Sequence, residues 1–317
     1  MADIIYLNGH LVPRSEARLS PFDRGFLYGY GLFETMRAYN GHIFRLDRHL
    51  ARLRRSAEIL GLSPDAIAVS RSLDSERSEE KGAAKQSLET ACRKTLTANG
   101  LKDARVRLTV SAGEGDMVPD PGTSPSPTVL VTAESLTPLP VQSYEQGFKA
   151  VLSSLRRDSQ SPLSGLKSTC YLNNVLARTE ARAAGYDEAI LLNERGYLAE
   201  GSTTNIFLVR KPPSLEGKGQ VRVLITPSLE SGVLPGITRE AVLEIAQALN
   251  IEVQERETEL KELTEAEEAF VTNSILEIMP LTWLDGKPIG TGEPGQLTRK
   301  LMAAYRKLVN EMLGKNS

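Results

Sequence analysis

Cysteine, histidine and long apolar runs are scarce in this chain of 317 residues, and each scarcity excludes a class of protein. The two cysteines, Cys92 and Cys170, are too few for a disulfide scaffold or a thiolate metal cluster. The three histidines form no metal-binding spacing such as HExxH, so we expect no metal. The sequence lacks an apolar stretch of about 18 residues and a signal-peptide pattern at its start, which predicts a soluble, cytoplasmic protein.

An excess of charge of one sign is also lacking, since 38 Lys and Arg residues stand against 40 Asp and Glu residues. The net charge of -2 gives no overall positive field of the kind that general nucleic-acid binders use. A nucleic-acid-binding helix is therefore the least favoured interpretation of the basic cluster at Arg45, Arg48, Arg52, Arg54 and Arg55. Hydrophobic residues (40%) and charged residues (25%) occur at ordinary globular frequencies, and the length favours two domains.

Local patterns predict an α+β protein with mixed sheets rather than a doubly wound parallel sheet. Asn8-Gly9 and Asn40-Gly41 lie between apolar segments and predict two β-hairpins. Apolar residues at helical spacing predict helices over 46–61, over 173–184 with Gly185 closing it, and after Thr238. Strands are predicted at residues 105–110, 128–132, 188–193, 205–210, 221–226 and 251–253.

Three segments break the regular pattern and bear on domain organisation. Residues 71–85 have no apolar stripe and are interpreted as a solvated insertion, to which the sequence assigns no role. Residues 113–127 are rich in glycine and proline and predict a long irregular loop, a kind that is often functional. Residues 133–146 contain two prolines and are interpreted as an interdomain linker. We therefore expect a small α/β domain at 1–139 and a larger domain at 140–317.

Strand alternation brings several polar side chains together. On one predicted strand, Arg105, Arg107 and Thr109 share a face. On another, Phe33, Thr35 and Arg37 share a face. Arginine offers a planar fork that binds a carboxylate, so these strands are candidates for a carboxylate site. A solvated edge strand with surface ion pairs is the alternative, and the residues alone leave both open.

Two further features have both a functional and an ordinary interpretation. Lys167 is the only charged residue in 164–169, and a lysine withdrawn from water becomes a usable amine nucleophile. Most lysines are instead solvated surface charges. Gly236-Ile237-Thr238 leads into a predicted helix and is a candidate anion site, although Thr238 as a simple helix cap is the commoner case.

Five motifs in a fixed order give the strongest signal. They are GLKSTCYLNN at 165–174, DEA at 187–189, LAEGSTTNIF at 198–207, LPGITR at 234–239 and VTNSILEIMP at 271–280. Together they resemble the class IV, or fold type IV, pyridoxal-phosphate (PLP) enzymes, which comprise branched-chain aminotransferases, D-amino-acid aminotransferases and aminodeoxychorismate lyases. The resemblance extends from the first hairpin to about residue 307. It implies the two-domain fold type IV architecture, PLP between the domains, a homodimer, and amino-acid and 2-oxo-acid substrates.

The resemblance also implies a role for individual residues. Lys167 matches the lysine that forms the internal aldimine and moves the substrate proton, and Glu200 matches the carboxylate facing the pyridine nitrogen. The remaining cofactor matches are Arg52, Ile237, Thr238 and Ser274 at the phosphate and Leu234 on the ring. The matches at the substrate are Arg107, Arg37, Tyr28, Phe33, Thr35 and Ile275.

The resemblance implies an aminotransferase, with branched-chain-like donors favoured. The alternative is aminodeoxychorismate lyase, which releases pyruvate and 4-aminobenzoate. Thr35, where branched-chain enzymes have glycine, and the short spacing from Lys167 to Tyr171 favour the lyase. The Arg-x-His substrate trap of D-amino-acid aminotransferases has no match in residues 111–127. A non-catalytic protein that keeps the fold is a further alternative, and Lys167 and Glu200 in their motifs argue against it.

Overall fold

The chain divides into two compact units. In the computed structural model, Met1–Thr137 and Lys167–Cys170 form the first unit, and Pro138–Leu166 and Tyr171–Ser317 form the second. The structure describes residues 3–62, 87–116, 118, 120, 126–210 and 222–315. The predicted insertion at 71–85 and part of the predicted loop at 113–127 lie outside the described residues.

The first unit is built on a six-stranded antiparallel sheet with the order β2-β1-β6-β5-β3-β4. Its strands are β1 (Ile4–Leu7), β2 (His10–Pro13), β3 (Gly31–Tyr39), β4 (His42–Ile43), β5 (Ala104–Ser111) and β6 (Thr128–Ser135). Both predicted hairpins are confirmed. Asn8 and Asn40 each take a φ of 46°, followed by Gly9 and Gly41 at positive φ, as a two-residue hairpin turn requires.

Three helices of the first unit contact this sheet among the described residues. They are α1 (Arg24–Tyr28), α2 (Leu46–Ile59) and α3 (Leu88–Ala98), preceded by a 3-10 turn at Arg14–Glu16. The predicted apolar stripe of α2 is buried at Leu50, Leu53 and Ala57, and α2 packs against β3. α3 packs against β1 and β6.

The second unit contains a nine-stranded mixed sheet with the order β12-β11-β10-β13-β14-β7-β8-β9, and β15 pairs with β14. Its strands are β7 (Phe148–Arg157), β8 (Glu188–Asn193), β9 (Leu198–Gly201), β10 (Asn205–Arg210), β11 (Val223–Pro227), β12 (Glu252–Arg256), β13 (Glu268–Asn273), β14 (Glu277–Leu284) and β15 (Lys287–Pro288). The pairs β11–β12, β14–β7 and β7–β8 are parallel, and the other pairs are antiparallel. This mixture agrees with the predicted class of fold.

Five helices and a 3-10 turn at Leu229–Ser231 accompany this sheet among the described residues. The helices are α4 (Val141–Gln146), α5 (Leu172–Ala183), α6 (Ile237–Ala248), α7 (Leu260–Thr264) and α8 (Gln296–Lys315). One core cluster fills one side of the central strands with Ile190, Leu208, Val271 and Leu281 among its members. Across β10 and β13, Phe207 stacks on Phe270 with ring centroids 4.9 Å apart. No helix in the described ranges is both long enough and apolar enough to cross a membrane.

The predicted linker at 133–146 contains the change from the first unit to the second, between Thr137 and Pro138, but most of the segment is regular. β6 continues through Ser135, because β5 pairs with it as far as Ala104–Ser135, and residues 141–146 form α4. Only residues 136–140 are irregular. The strand predicted at 221–226 is observed as Val223–Pro227. The structure adds β7 and the 20-residue α8, neither of which was predicted.

Candidate active site

Lys167 is fixed to the first unit through its backbone. The Phe33 amide donates to the Lys167 carbonyl at 2.9 Å, and the Thr169 amide donates to the Gly31 carbonyl at 2.9 Å. Leu32 and Ser168, which lie between these two hydrogen bonds, form an antiparallel β-bridge. The segment Lys167–Cys170 thus lies along β3, and Lys167 itself is half-buried. Backbone hydrogen bonds to β3 set the position of Lys167, so its side chain is not needed to hold the segment in place.

A cluster of cations surrounds the ring of Phe33. The Lys167 Nζ lies 4.6 Å from the ring centroid, and the Arg107 Cζ lies 3.9 Å from it. Phe33 pairs with Thr109 in the β3–β5 register, and Thr35 pairs with Arg107. The predicted common faces of β3 and β5 are therefore confirmed, and they form one face of one sheet. This face can attract an anionic group close to the Lys167 amine.

Arg37 and Tyr28 take different places in the same unit. Arg37 lies opposite Arg105 on the common face, is buried, and has its Cζ 4.6 Å from the centroid of the Tyr39 ring. Tyr28 is the last residue of α1 and is exposed. Its backbone carbonyl lies 3.8 Å from the Cys170 Sγ, next to the segment that contains Lys167.

Arg52 lies on the side of β3 opposite to the face that carries Phe33 and Arg37. There it is bound by Glu34, a residue that was not predicted from the sequence. Glu34 accepts hydrogen bonds from Arg52 Nε at 2.8 Å and Arg52 Nη2 at 2.5 Å, and it is 2.7 Å from His49 Nδ1. All three side chains are buried. Arg52 is therefore not a solvated cation of the kind that a nucleic-acid-binding helix would present.

The ion pair with Arg52 keeps Glu34 ionised, and burial keeps His49 neutral. Burial alone would raise the pKa of Glu34, but the Arg52 charge and the hydrogen bonds from His49 and Arg52 lower it to about 2. Burial lowers the pKa of His49, although its hydrogen bond to Glu34 acts in the other direction. At neutral pH Glu34 is ionised and His49 is neutral, so the ring donates its Nδ1 proton to the carboxylate.

In the second unit, Glu200 is a buried carboxylate on β9 with two fixed partners. Its Oε1 lies 3.0 Å from Arg157 Nη2, and its Oε2 accepts the Leu234 amide proton at 3.0 Å. Arg157 also donates to the Ser164 carbonyl at 2.7 Å and the Gly232 carbonyl at 3.2 Å. Glu200 therefore has a fixed orientation, and Arg157 is a further residue that the sequence analysis did not select.

The start of α6 offers backbone donors without a side-chain cap. Gly236 is the N-cap residue and α6 begins at Ile237, so the interpretation of Thr238 as the cap is wrong. Both Ile237 and Thr238 are buried. A Cβ at Gly236 would lie 2.0 Å from Asn205 Oδ1, which explains the glycine at this position. Uncapped amides at the positive end of a helix suit an anion such as phosphate.

Two asparagine side chains, Asn205 and Asn273, hold backbone groups next to the remaining predicted residues of this unit. Asn205 Nδ2 donates to the Leu234 carbonyl at 2.9 Å, and Asn273 Nδ2 donates to the Thr203 carbonyl at 3.3 Å. Asn273 Oδ1 accepts the Ile275 amide proton at 2.9 Å and shapes the turn that contains Ser274. The second unit thus contains five predicted cofactor residues and one predicted substrate residue: Glu200, Leu234, Ile237, Thr238, Ser274 and Ile275.

The chain is similar over nearly its whole length to proteins of one family. The family described as amino-transferase class IV matches residues 31–283. A putative branched-chain-amino-acid aminotransferase of Methanocaldococcus jannaschii is 36% identical over 303 residues, which cover 95% of each chain. An aminodeoxychorismate lyase of Bacillus subtilis is also 36% identical, over 98% of this chain and 96% of its own. A solved structure of the T.th. branched-chain amino acid aminotransferase with pyridoxamine 5'-phosphate has a TM-score of 0.83 at 31% identity, over 97% of this chain and 94% of that one.

This chain belongs to the class IV aminotransferase family. Its fold is that of the fold type IV PLP enzymes, as the motifs predicted. The residues present also fit PLP by their chemistry. In the first unit, the buried Arg52 suits a phosphate and the Lys167 amine suits an aldehyde. In the second unit, the uncapped N-terminus of α6 suits a phosphate and the buried Glu200 carboxylate suits a protonated pyridine nitrogen.

Proposed function

We propose that this protein is a PLP-dependent aminotransferase that moves an amino group between a branched-chain-like amino acid and a 2-oxo acid. The observation that carries the proposal is the placement of the Lys167 amine beside Phe33 and Arg107 in a chain of this family. The full-length similarity to a protein named as a branched-chain-amino-acid aminotransferase supports the donor class. The test is amino transfer from leucine, isoleucine or valine to 2-oxoglutarate by the purified protein.

The proposed division of labour follows the chemistry of each group. PLP, when bound, supplies an electron-withdrawing ring that stabilises negative charge developing at the substrate Cα. Lys167 holds the cofactor and moves the proton of the substrate, because its amine is the nucleophile of the cluster. Arg52, Ile237, Thr238 and Ser274 bind the phosphate. Glu200 keeps the pyridine nitrogen protonated, and Leu234 packs on the ring.

The second candidate function is aminodeoxychorismate lyase activity. A specific observation favours it: Thr35, where branched-chain enzymes have glycine, pairs with Arg107 on the face that carries Lys167. The lyase of Bacillus subtilis also has the same percentage identity as the putative aminotransferase. Pyruvate release from aminodeoxychorismate, measured beside amino transfer to 2-oxoglutarate, separates the two. Pyruvate release without amino transfer would replace the first proposal by the second.

Arg107 is proposed to bind the substrate carboxylate. We expect Arg107→Met to slow the half-reaction with an amino-acid donor by about 10- to 100-fold, the worth of a hydrogen bond to a charged group. A donor amine without a carboxylate is expected to be affected much less. Stopped-flow half-reactions with the two donors measure the difference.

Arg105→Met is the matched control, because Arg105 lies on the same face of β5 and is also exposed. It is expected to leave both half-reactions close to wild type. Equal losses for both donors in Arg107→Met would indicate damage to the strand. No loss for either would mean that other groups bind the carboxylate, with Arg37 and the amides at Ser274 and Ile275 the next candidates.

A homodimer is proposed on the family resemblance and on exposed apolar side chains. On α5, Leu172, Val175 and Leu176 share one face at helical spacing and are exposed by 68%, 52% and 45%. Such a face on a globular enzyme is typical of a protein–protein interface. We expect the wild-type protein to sediment as a dimer and Val175→Asp to shift it towards the monomer.

Leu229→Asp is the control for this substitution. Leu229 is exposed by 47% but lies on the 3-10 turn at Leu229–Ser231, away from α5 in the sequence. It is expected to leave the dimer intact. A wild-type monomer with bound cofactor would contradict the proposal, and an unchanged Val175→Asp dimer would exclude the α5 face as its interface.

A further inference from the structure

Glu34 is a charged group on an apolar strand face. On β3 the side chains of Leu32, Glu34 and Met36 lie on the same side of the sheet, and each is 0% exposed. This is the side on which α2 packs. A carboxylate in such a position loses its hydration and needs compensating partners.

The compensation comes from one face of α2. His49 and Arg52 are three residues apart on the helix, and both bind the Glu34 carboxylate. The Glu34 carboxylate accepts hydrogen bonds from both Nε and Nη2 of Arg52. This two-point contact fixes the plane of the guanidinium. The orientation of Arg52 is therefore determined by Glu34, and the orientation of Glu34 is determined in part by His49.

Stability gives no sufficient reason for this arrangement. Replacing a buried ion pair by apolar residues of similar volume is often neutral or stabilising. Leu50 and Leu53, which directly follow His49 and Arg52 on α2, already bury apolar surface. A leucine at residue 34 would continue the apolar face of β3. Packing therefore does not require a carboxylate there, and the contact of Glu34 with Arg52 is the feature that a leucine would lose.

Glu34 also stands beside the residue that fixes Lys167. The Phe33 amide donates to the Lys167 carbonyl, and Phe33 directly precedes Glu34 on β3. Neighbouring residues of β3 therefore hold the Lys167 backbone and the Arg52 guanidinium. The strand sets the position of each group relative to the other within the first unit.

We infer that Glu34 is a positioning residue that holds the Arg52 guanidinium in the orientation in which it binds the cofactor phosphate. His49 supports this role as the second donor to the carboxylate. The inference rests on the proposed function, in which Arg52 is a phosphate ligand. It extends that function to a residue that touches neither phosphate nor substrate.

Positioning and simple electrostatics predict opposite results for Glu34→Gln. Removing a negative charge near a phosphate site reduces repulsion, so electrostatics alone predicts tighter phosphate binding. Loss of the two-point contact frees the Arg52 side chain to take other rotamers, so positioning predicts weaker binding. The sign of the change distinguishes the two.

The experiment compares PLP with pyridoxal, which has the same ring and aldehyde but no phosphate. The full-length protein is freed of cofactor and titrated with each compound, and binding is followed by absorbance. We expect Glu34→Gln to weaken PLP binding by about tenfold or more and to change pyridoxal binding less than about twofold. Arg52→Lys is expected to show the same selective loss, and Glu34→Gln is expected to add little to it in the double variant.

Glu268→Gln is the matched control for the loss of a buried carboxylate. Glu268 is 5% exposed and accepts hydrogen bonds from the amides of Leu297 and Thr298 at the start of α8. This variant is expected to leave the ratio of PLP to pyridoxal affinity unchanged. If Glu34→Gln does not fold, Glu34→Asp keeps the buried charge but shortens the side chain, and the same ratio is measured.

Equal weakening of PLP and pyridoxal by the Glu34 variant would mean that Glu34 only supports the fold. Unchanged or tighter PLP binding would also overturn the inference. Failure of the proposed cofactor binding gives a different result, because the wild-type protein would then bind neither compound. A lyase would still bind PLP, and the assay of amino transfer beside pyruvate release identifies that case.

Discussion

Lys167→Ala is expected to reduce amino transfer by about a thousandfold or more. Proton transfer by a positioned side chain alone is worth about 10²–10⁴-fold, and this substitution also removes the proposed covalent holder of the cofactor. The fold should persist, since Lys167 is joined to β3 through its backbone and alanine keeps those hydrogen bonds. Steady-state transamination assays and circular dichroism measure the two effects.

The control for this variant is Lys102→Ala, at an exposed lysine of the same unit. It is expected to keep both activity and the yellow colour of the bound cofactor. The Lys167→Ala protein is expected to lose the spectrum of lysine-bound PLP. Transamination at a rate near wild type in Lys167→Ala would show that another amine is the catalytic group.

Elements with strong local signals were predictable from the sequence. The hairpins depend on Asn8-Gly9 and Asn40-Gly41, whose positive φ angles are a property of the residues themselves. The helix α2 was predictable because its apolar positions recur at helical spacing and one face is buried. The class of fold and the family were predicted from ordered motifs and are confirmed.

The elements that sequence reasoning did not find lack such local signals. β6 extends through Ser135 because β5 pairs with it, although its last residues are polar and exposed. Residues 136–140 alone have the composition of a linker, and α4 begins directly after Pro140. Pairing between strands that are distant in sequence decides these boundaries, and propensity does not.

The candidate site shows the same division. Lys167 and Glu200 were predicted because each lies in a family motif, and their roles stay predictions. Glu34 was not selected, because its partners His49 and Arg52 are 15 and 18 residues away and the pairing becomes visible only when α2 packs on β3. Arg157 was missed for a similar reason, since it meets Glu200 only in the folded sheet.

Glu200→Gln is expected to slow the chemical step by about 10²–10³-fold with cofactor binding retained. This is the usual cost of removing one preorganised electrostatic partner from an active site. The amide is nearly isosteric and can still accept the Leu234 amide proton, so the loop before α6 should keep its place. An uncharged amide cannot stabilise a protonated pyridine nitrogen as a carboxylate does, so the substrate carbanion loses its strongest acceptor of negative charge.

Single-turnover measurements with an amino-acid donor separate this effect from product release. Glu230→Gln, at an exposed carboxylate on the 3-10 turn, is the control and is expected to leave the half-reaction unchanged. The Glu200→Gln amide also meets the Arg157 guanidinium without a compensating charge, so Glu200→Asp is a needed companion variant. Because aspartate keeps the charge, it should recover a part of the rate that glutamine loses. An unchanged rate in Glu200→Gln, or a loss in Glu200→Asp as large as in Glu200→Gln, would show that the charge at Glu200 is not what the pyridine nitrogen requires.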